Sequence, residues 1–573
     1  MKFQVTEDNS PYLDARGKII LNACPGSGKT SAIAYKLSLM NKESAKDYGA
    51  YSGIACLSFT NVAKEEIQEK FSAITGNQIC YPNLISTIDS FINQYITLPF
   101  YYLLGLESPR PDIMTTVGFL DEVRLGNFSN KANQPLSRIY KPSELLIEYN
   151  GSYSWKGYVP KEESVDLGVF KRYAKTYKEW QFNRGYLNND DSTYAAFQLL
   201  KRYPSIAKSL IQRFPYFIID EAQDTSEIQY GIFDALVAAG LQHLEFVGDP
   251  YQSLYEFRNA RPELFLKRFN DSENWISMNF NDCRRSSQYI VNTYSSLRND
   301  GEKKILSIST HESNHKVKVL LYDDTKPNEL LNQYYKIVNQ DGKNVILVRG
   351  KTHLELFGAF SQPDSPWKSE LASILIESAG HLKQNKLKSC IDLLRKFLVE
   401  IKFPGANYYD KKKRIDEIFA DEATNILLYS FLRAMPSLDD TIGAWNKSIT
   451  KCISEFFEIE IDLQLKKNKG KPYYEQNLMS LYFPDVSSVY PVSTIHKVKG
   501  MTFSSILLVL SDGGNNNTLS LSDFFLTNEF LTESQRLLYV ALSRPETLCC
   551  IAIPDHISIS EIVARLGVDF EFA

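Results

Sequence analysis

The run Ala23-Cys24-Pro25-Gly26-Ser27-Gly28-Lys29-Thr30 constrains this 573-residue chain more than any other segment. The apolar stretch Lys18-Ile19-Ile20-Leu21 precedes it, and residues 31–40 have the composition of a helix. Strand, glycine-containing loop and helix in that order make a phosphate cradle. The glycines let backbone amides curl around β- and γ-phosphates, and the helix start presents unpaired N–H groups to an anion. Ala23, Cys24, Pro25, Gly26, Ser27 and Gly28 are therefore expected to line a nucleotide, with Lys29 neutralising its phosphates. Thr30 is expected to offer its hydroxyl to Mg2+, which prefers hard oxygen ligands and keeps several waters.

A second segment, Phe217-Ile218-Ile219-Asp220-Glu221-Ala222-Gln223-Asp224, delivers two adjacent carboxylates at the end of an apolar strand. Adjacent residues on a strand end point different ways. One carboxylate can hold a metal's water shell while the other orients and deprotonates an attacking water, the division of labour that phosphoryl transfer needs. Asp220 is assigned to Mg2+ and Glu221 to the water.

Further segments follow in a fixed order: residues 57–63 with Phe59, Thr60 and Asn61; residues 86–91 with Thr87; residues 247–258 with Gln252, Tyr255 and Phe257. Then come residues 280–287 with Arg284 and Arg285, residues 494–503 with His496, Lys499, Gly500 and Thr502, and residues 535–544 ending in Arg544. In this order the chain resembles the UvrD/Rep/PcrA group of superfamily 1A DNA helicases, over both motor halves. The resemblance implies an α/β fold of two RecA-like parallel-sheet motor domains, each interrupted by a mainly helical accessory insertion. It implies ATP and Mg2+ as cofactors, and single-stranded and tailed duplex DNA as partners, with movement 3′ to 5′. By the same resemblance Gln252 reads the γ-phosphate and Arg284, Lys499, Gly500 and Thr502 belong to the ATP site. Phe59, Thr60, Asn61, Thr87, Tyr255, Phe257 and His496 are implied as DNA contacts. Arg285 and Arg544 also have a physical reason: charge develops on the transferring phosphoryl group, and arginines arriving from a second lobe stabilise it only when the cleft is closed.

The chain departs from the family pattern at two positions. Arg284 stands where an aromatic residue often stacks on adenine, and its guanidinium plane can stack instead. Thr502 stands where a carboxylate usually bonds the ribose, which implies a sugar held less tightly. Upstream, Gln4 is present, but its surroundings do not read as the helix start that accompanies an adenine-reading glutamine.

The motifs also divide the chain. Strand-like runs at 54–59, 84–86, 217–219 and 244–247 are expected to form one parallel sheet, in a first motor domain of residues 1–91 and 216–278. Residues 92–215 interrupt it, and the stretch around Lys171 to Tyr177 reads as helix. Residues 279–350 and 485–573 form the expected second motor domain, with strands at 317–322, 345–348, 506–510 and 548–553, and residues 351–484 interrupt it. Two basic clusters in that second insertion, residues 411–414 and 466–471, could meet duplex phosphate.

Composition narrows the setting. With 64 Lys and Arg against 68 Asp and Glu the formal charge is −4, so nucleic acid must be gripped by local grooves rather than an overall basic field. The eight cysteines have no Cys-x-x-Cys spacing, which argues against a zinc or iron–sulfur site. No signal segment opens the chain, and its apolar runs are too short to span a bilayer, so a cytoplasmic protein away from membranes is expected. No segment after Arg544 offers the clustered acids of a nuclease. Compact chains of this group resemble the helicase subunits of two-component antiphage systems such as Gabija, which work with an OLD-type nuclease. Repair is the other expected role. A different class of function is a DNA-bound ATPase switch that licenses a partner nuclease with little unwinding.

Overall fold

The computed structural model describes residues 3–114, 117–254, 260–298, 304–310, 315–357, 365–383, 387–404, 408–466, 472–482, 489–511, 518–524, 531–566 and 570–573. Strands β1 (Lys18–Ala23), β2 (Ile54–Ser58), β3 (Leu84–Thr87), β4 (Tyr216–Asp220), β5 (His243–Gly248) and β6 (Ile276–Phe280) form one six-stranded sheet in the order β6-β1-β5-β4-β2-β3. Every pairing in it is parallel. Parallel strands need crossovers that cover both faces, so β2 and β4 are buried at every position.

Side-chain alternation sorts the strand residues into two cores. Ile19 and Leu21 join Ile33 and Leu37 of helix α1 (Lys29–Tyr48) and Ile67 and Phe71 of α2 (Asn61–Thr75). Ile20, Leu57, Phe217, Ile219 and Phe246 face the other way, onto Phe91, Phe233 and Leu236. The strand at Ile276–Phe280 was not among the expected ones. Its register, Ile19 with Ile276 through Ala23 with Phe280, places residue 279 in mid-strand. A domain division at 278/279 therefore cuts a hydrogen-bonded ladder, which a motif-based boundary does not register.

The stretch around Lys171 to Tyr177 lies in helix α3 (Leu167–Arg184), whose start is capped by the Asp166 side chain accepting from Val169 N at 2.8 Å. Its buried face, Phe170, Tyr173, Ala174 and Tyr177, packs on Leu136, Tyr140 and Leu145. The segment also holds a short antiparallel pair, Leu145–Ile147 with Tyr153–Trp155, beside the helices of the expected mainly helical insertion. Helix α4 (Asn189–Arg202) joins α3 through a buried cluster in which Lys178 Nζ and Gln181 Nε2 donate to the two oxygens of Asp191, at 2.7 and 2.5 Å.

A second six-stranded sheet contains β7 (Val317–Tyr322), β8 (Asn344–Val348), β9 (Val492–Thr494), β10 (Phe503–Val509), β11 (Pro545–Pro554) and β12 (Phe570–Phe572). The short β9 and β12 carry too few residues for a periodic signal. By compactness the chain divides into two units. One comprises Met1–Leu321, Lys336–Asn344 and Ile495–Ala573, and holds the first sheet together with the parallel pairs β7–β12 and β10–β11. The other comprises Tyr322–Tyr335 and Val345–Thr494. In it, helices Leu371–Lys383, Leu387–Lys402, Glu422–Ala434 and Ile442–Phe457 bury Trp367, Phe397, Phe431 and Trp445. Of the basic residues 411–414, Lys411 pairs with Glu400 at 2.7 Å and Arg414 with Glu417 at 3.1 Å, so both have partners of opposite charge at hand. Residues 467–471 lie outside the described residues. Among the described residues no helix is long and apolar enough to cross a membrane.

Removing one member of a buried ion pair strands the other charge in a medium that cannot solvate it. Asp191→Ala is expected to cost about 3–5 kcal/mol, whereas replacing Asp191, Lys178 and Gln181 together by apolar residues of similar volume should recover most of it. Chemical unfolding monitored by tryptophan fluorescence checks the difference; equal losses in the single and triple variants would contradict it.

Candidate nucleotide site

The phosphate loop leaves β1 at Ala23 and is tied to the neighbouring strand by Cys24 N donating to Phe280 O at 3.0 Å. Gly26 and Gly28 have φ of 76° and 84°, the left-handed region where side chains are strained, and α1 begins at Lys29. Gly26 is fixed for a second reason. A Cβ there would lie 2.6 Å from Arg285 Cβ, and Arg284 N donates to Gly26 O at 2.9 Å. The loop and the arginine-bearing segment are thus packed backbone to backbone.

Around this contact is a cavity of about 460 Å3. Its wall brings together Cys24, Pro25, Gly26, Ser27, Gly28, Lys29 and Thr30 with Glu221, Gln252, Arg284, Arg285, Gly500, Thr502 and Arg544. Three residues expected in the site stand off that wall: Ala23 is fully buried in β1, Asp220 lies beneath Glu221, and Lys499 pairs with Asp224. Sequence reading placed Lys499 against the nucleotide; its partner here is the third acid of the Asp220–Asp224 segment.

Lys29 Nζ meets Glu221 Oε1 at 2.5 Å, and Gln223 Nε2 donates to Glu221 Oε2 at 2.5 Å. Burial by itself would raise the Glu221 pKa, but the Lys29 and Lys499 charges and these hydrogen bonds overcome it and lower it to about 2. Glu221 also sits at φ 54°, a strained conformation for a residue with a side chain, which turns it away from its strand. Asp220 goes the other way: burial raises it to about 7, with the Lys29 charge opposing and that of Glu221 adding. Its Oδ1 is buried without a hydrogen-bond partner in the protein. That orphaned hard oxygen, with the Thr30 hydroxyl on the cavity wall, fits Mg2+ completed by waters.

Opposite lies a chain of hydrogen bonds. Arg544 Nη2 donates to Gln252 Oε1 at 2.7 Å, Gln252 Nε2 to Asp249 Oδ2 at 2.8 Å, and Tyr539 OH to the same oxygen at 3.2 Å. Asp249 N in turn donates to Gln223 Oε1 at 3.1 Å, closing the path back to Glu221. Arg285 Nη1 donates to Ser543 O at 3.0 Å, beside Arg544. Burial, with the Arg285 charge adding, lowers the Arg544 pKa to about 9. Two guanidinium groups gathered in a desolvated pocket are arranged for an anion. Sequence reading missed Asp249 and Arg536, which is buried and donates to Ser253 O at 2.8 Å. Both lay inside recognised segments, but only their contacts across the fold reveal their roles.

Gln4, which the sequence reading set aside, lies nearby. A second cavity of about 230 Å3 adjoins the loop at Ser27 and Gly28 and is lined by Phe3, Gln4, Lys70 and Arg284. Arg284 belongs to both cavities, its Nη1 donating to Ser27 O at 2.5 Å. Downstream of Gln4 a short helix, Ser10–Asp14, begins with Pro11 in its first turn. Asn9 does not cap it forward; its Nδ2 donates back to Gln4 O at 3.1 Å.

Four of the expected DNA contacts lie at one edge of the first sheet. Phe59, Thr60 and Asn61 follow β2, and Thr87 ends β3. Both threonines are engaged as helix caps, Thr60 Oγ1 accepting from Ala63 N at 3.2 Å and Thr87 Oγ1 from Ser90 N at 3.1 Å. His496 is half-buried in the turn Ile495–Val498. Tyr255 and Phe257 lie outside the described residues.

Because Gln252 and Arg544 share one hydrogen bond, their losses should not add. In a double-mutant cycle, Gln252→Ala and Arg544→Ala are expected to couple by about 0.5–3 kcal/mol in nucleotide turnover. Strictly additive losses in steady-state rates would show that the bond does not operate in the working site.

Residues 5–273 match the family described as UvrD/REP helicase N-terminal domain. The chain is 27% identical over 471 residues to a probable DNA helicase II homolog of Mycoplasma capricolum, covering 78% of this chain and 62% of that protein. It is 23% identical over 512 residues to the Gabija protein GajB of Bacillus cereus, covering 87% of each. To the ATP-dependent DNA helicase PcrA of Bacillus subtilis it is 25% identical over 445 residues, 74% of this chain and 52% of that one. The phosphate loop, Glu221 and Gln252 all fall within residues 5–273, the part of the chain that matches the UvrD/REP helicase N-terminal domain.

Proposed function

We propose that this chain is an ATP-dependent DNA helicase, hydrolysing ATP to move along single-stranded DNA. The observation that carries the reading is the single cavity in which Lys29 and Glu221 of the first sheet meet Gln252, Arg285 and Arg544. The names of the relatives agree with it.

The residues divide the work. In the nucleotide-free site Lys29 is neutralised by Glu221, and a carboxylate held at about 2 is too weak a base to take a proton from water. Triphosphate oxygens offer Lys29 a stronger partner, which releases Glu221 and raises its basicity. Glu221 then accepts the proton of the water that attacks the γ-phosphorus, and ADP leaves. Mg2+ held by Thr30 and Asp220 would supply charge neutralisation at the β- and γ-phosphates. Arg285 and Arg544 meet the charge that develops on the transferring group, so their contribution is largest in the transition state. Gln252 touches Arg544 and so reports the γ-phosphate to it.

In this reading residues 92–215 and 351–484 are accessory insertions on a two-lobed motor, and Phe59, Thr60, Asn61, Thr87, Tyr255, Phe257 and His496 are the residues assigned to DNA binding. Movement 3′ to 5′ and a cytoplasmic setting follow from the resemblance to the UvrD/Rep/PcrA group. Antiviral defence beside an OLD-type nuclease draws support from the alignment to GajB over 87% of both chains; DNA repair is the alternative role. Measuring ATPase with and without single-stranded DNA, alongside unwinding of duplexes with 3′ or 5′ tails, tests the proposal. DNA-stimulated hydrolysis with unwinding from a 3′ tail is expected. Hydrolysis without unwinding would instead establish the switch that licenses a nuclease, and no DNA stimulation would refute both.

Glu221→Gln is expected to retain ATP and DNA binding and to lose about 10²-fold or more in turnover, because an amide cannot accept the water's proton. A purified variant that hydrolysed ATP near the wild-type rate would remove Glu221 from its role.

A further inference from the structure

Strand β11 runs parallel to β10, but the register slips between them. Phe503 pairs with Pro545, while Ser505 pairs with Leu548, so β11 carries one extra residue at Glu546 and Thr547. A bulge of this kind re-aims a side chain, and bulges concentrate beside functional sites. Thr547 is turned onto the partner strand, where its hydroxyl donates to Ser504 O at 2.8 Å. Glu546 instead stands on the wall of the nucleotide cavity with Gly500 and Thr502. Its backbone is held from the arginine-bearing side, Ser287 N donating to Glu546 O at 3.3 Å and Ser286 Oγ to Pro545 O at 2.6 Å.

We propose that Glu546 holds the ribose hydroxyls of the bound nucleotide. The assignment rests on the ATP-hydrolase reading above. Lys29 and the loop amides mark the phosphate end of the cavity, while Arg284 marks its junction with the second cavity, where Gln4 lies, so the sugar belongs between them. Three carboxylates are on the wall: Glu66, Glu221 and Glu546. Glu221 is paired with Lys29, which places it at the phosphate end. Glu546 is the carboxylate that the pairing of Phe503 with Pro545 brings beside Thr502 on the same wall. Its two oxygens can each accept from a vicinal hydroxyl, a pairing that the single neutral oxygen of Thr502 cannot reproduce. The bulge thus delivers from β11 a charge that Thr502, at the start of β10, lacks.

Steady-state hydrolysis of ATP, 2′-deoxyATP and 2′,3′-dideoxyATP by wild type, Glu546→Gln and Glu546→Ala tests this, with titration calorimetry of the same nucleotides reading binding alone. In the wild type KM and Kd should rise by about tenfold or more from ATP to the dideoxy nucleotide, the effect of losing charged hydrogen bonds. In Glu546→Ala the two values should converge, and Glu546→Gln, which keeps an acceptor without charge, should fall between. A wild type that does not distinguish the sugars, or an alanine variant with undiminished discrimination, overturns the assignment. So does a fall in kcat common to all three nucleotides at constant discrimination, which would make Glu546 a counter-charge for the arginines. Failure of the wild type to hydrolyse any of them would refute the hydrolase reading, while the calorimetric ratio would still decide the role of Glu546.

Discussion

The ion pair between Lys29 and Glu221 sets the terms for everything else in the site. Each charge is withdrawn from most of the water that would stabilise it, and pairing at 2.5 Å offsets that cost only while the partner stays in place. The site is therefore self-neutralised, with the proposed general base, Glu221, masked by the proposed phosphate ligand, Lys29. In the proposed reaction the phosphates of the nucleotide take Lys29 from Glu221 while replacing the lost negative charge. Binding and base activation are in this way one electrostatic exchange, and hydrolysis cannot outrun binding.

The opposite wall is unbalanced in the other sense. Arg285 and Arg544 lie close enough for one charge to depress the pKa of the other, and burial lowers Arg544 further. Their hydrogen bonds go to neutral acceptors, Gln252 Oε1 and Ser543 O, while the charges of Glu221 and Asp249 only partly offset the burial of Arg544. Such a wall gains most from charge arriving between the two groups, which is how γ-phosphate transfer distributes it. The path Glu221–Gln223–Asp249–Gln252–Arg544 connects the walls through hydrogen bonds alone. Close packing protects it: a Cβ at Gly248 would lie 2.2 Å from Gln223 Oε1.

Much of this was legible in the residues. The loop at 23–30 and the acidic strand end at 220–221 are local devices, in which spacing along the chain dictates spacing in space. The apolar runs that became β1, β2, β4 and β5 were equally plain, since a strand buried on both faces reads as a continuous hydrophobic stretch. What escaped was non-local. Ile276–Phe280 became a strand because β1 offered it an edge, and its own sequence, half of it exposed, carries no burial pattern. Lys499 was assigned by its place in a segment, yet its nearest opposite charge lay 275 residues away on Asp224. Thr502 pointed to a missing carboxylate, and the one on the cavity wall arrives through a register slip that no spacing rule anticipates.

The central claim is that one nucleotide is held by both walls at once. Hydrogen exchange with and without ADP–aluminium fluoride and Mg2+ reads this directly. The account predicts joint protection of the loop at 23–30, the segment 282–287 and the helix Glu533–Leu542 that leads into Arg544. Protection confined to the loop and the start of α1, with the arginine-bearing segments exchanging as in the free protein, would contradict it.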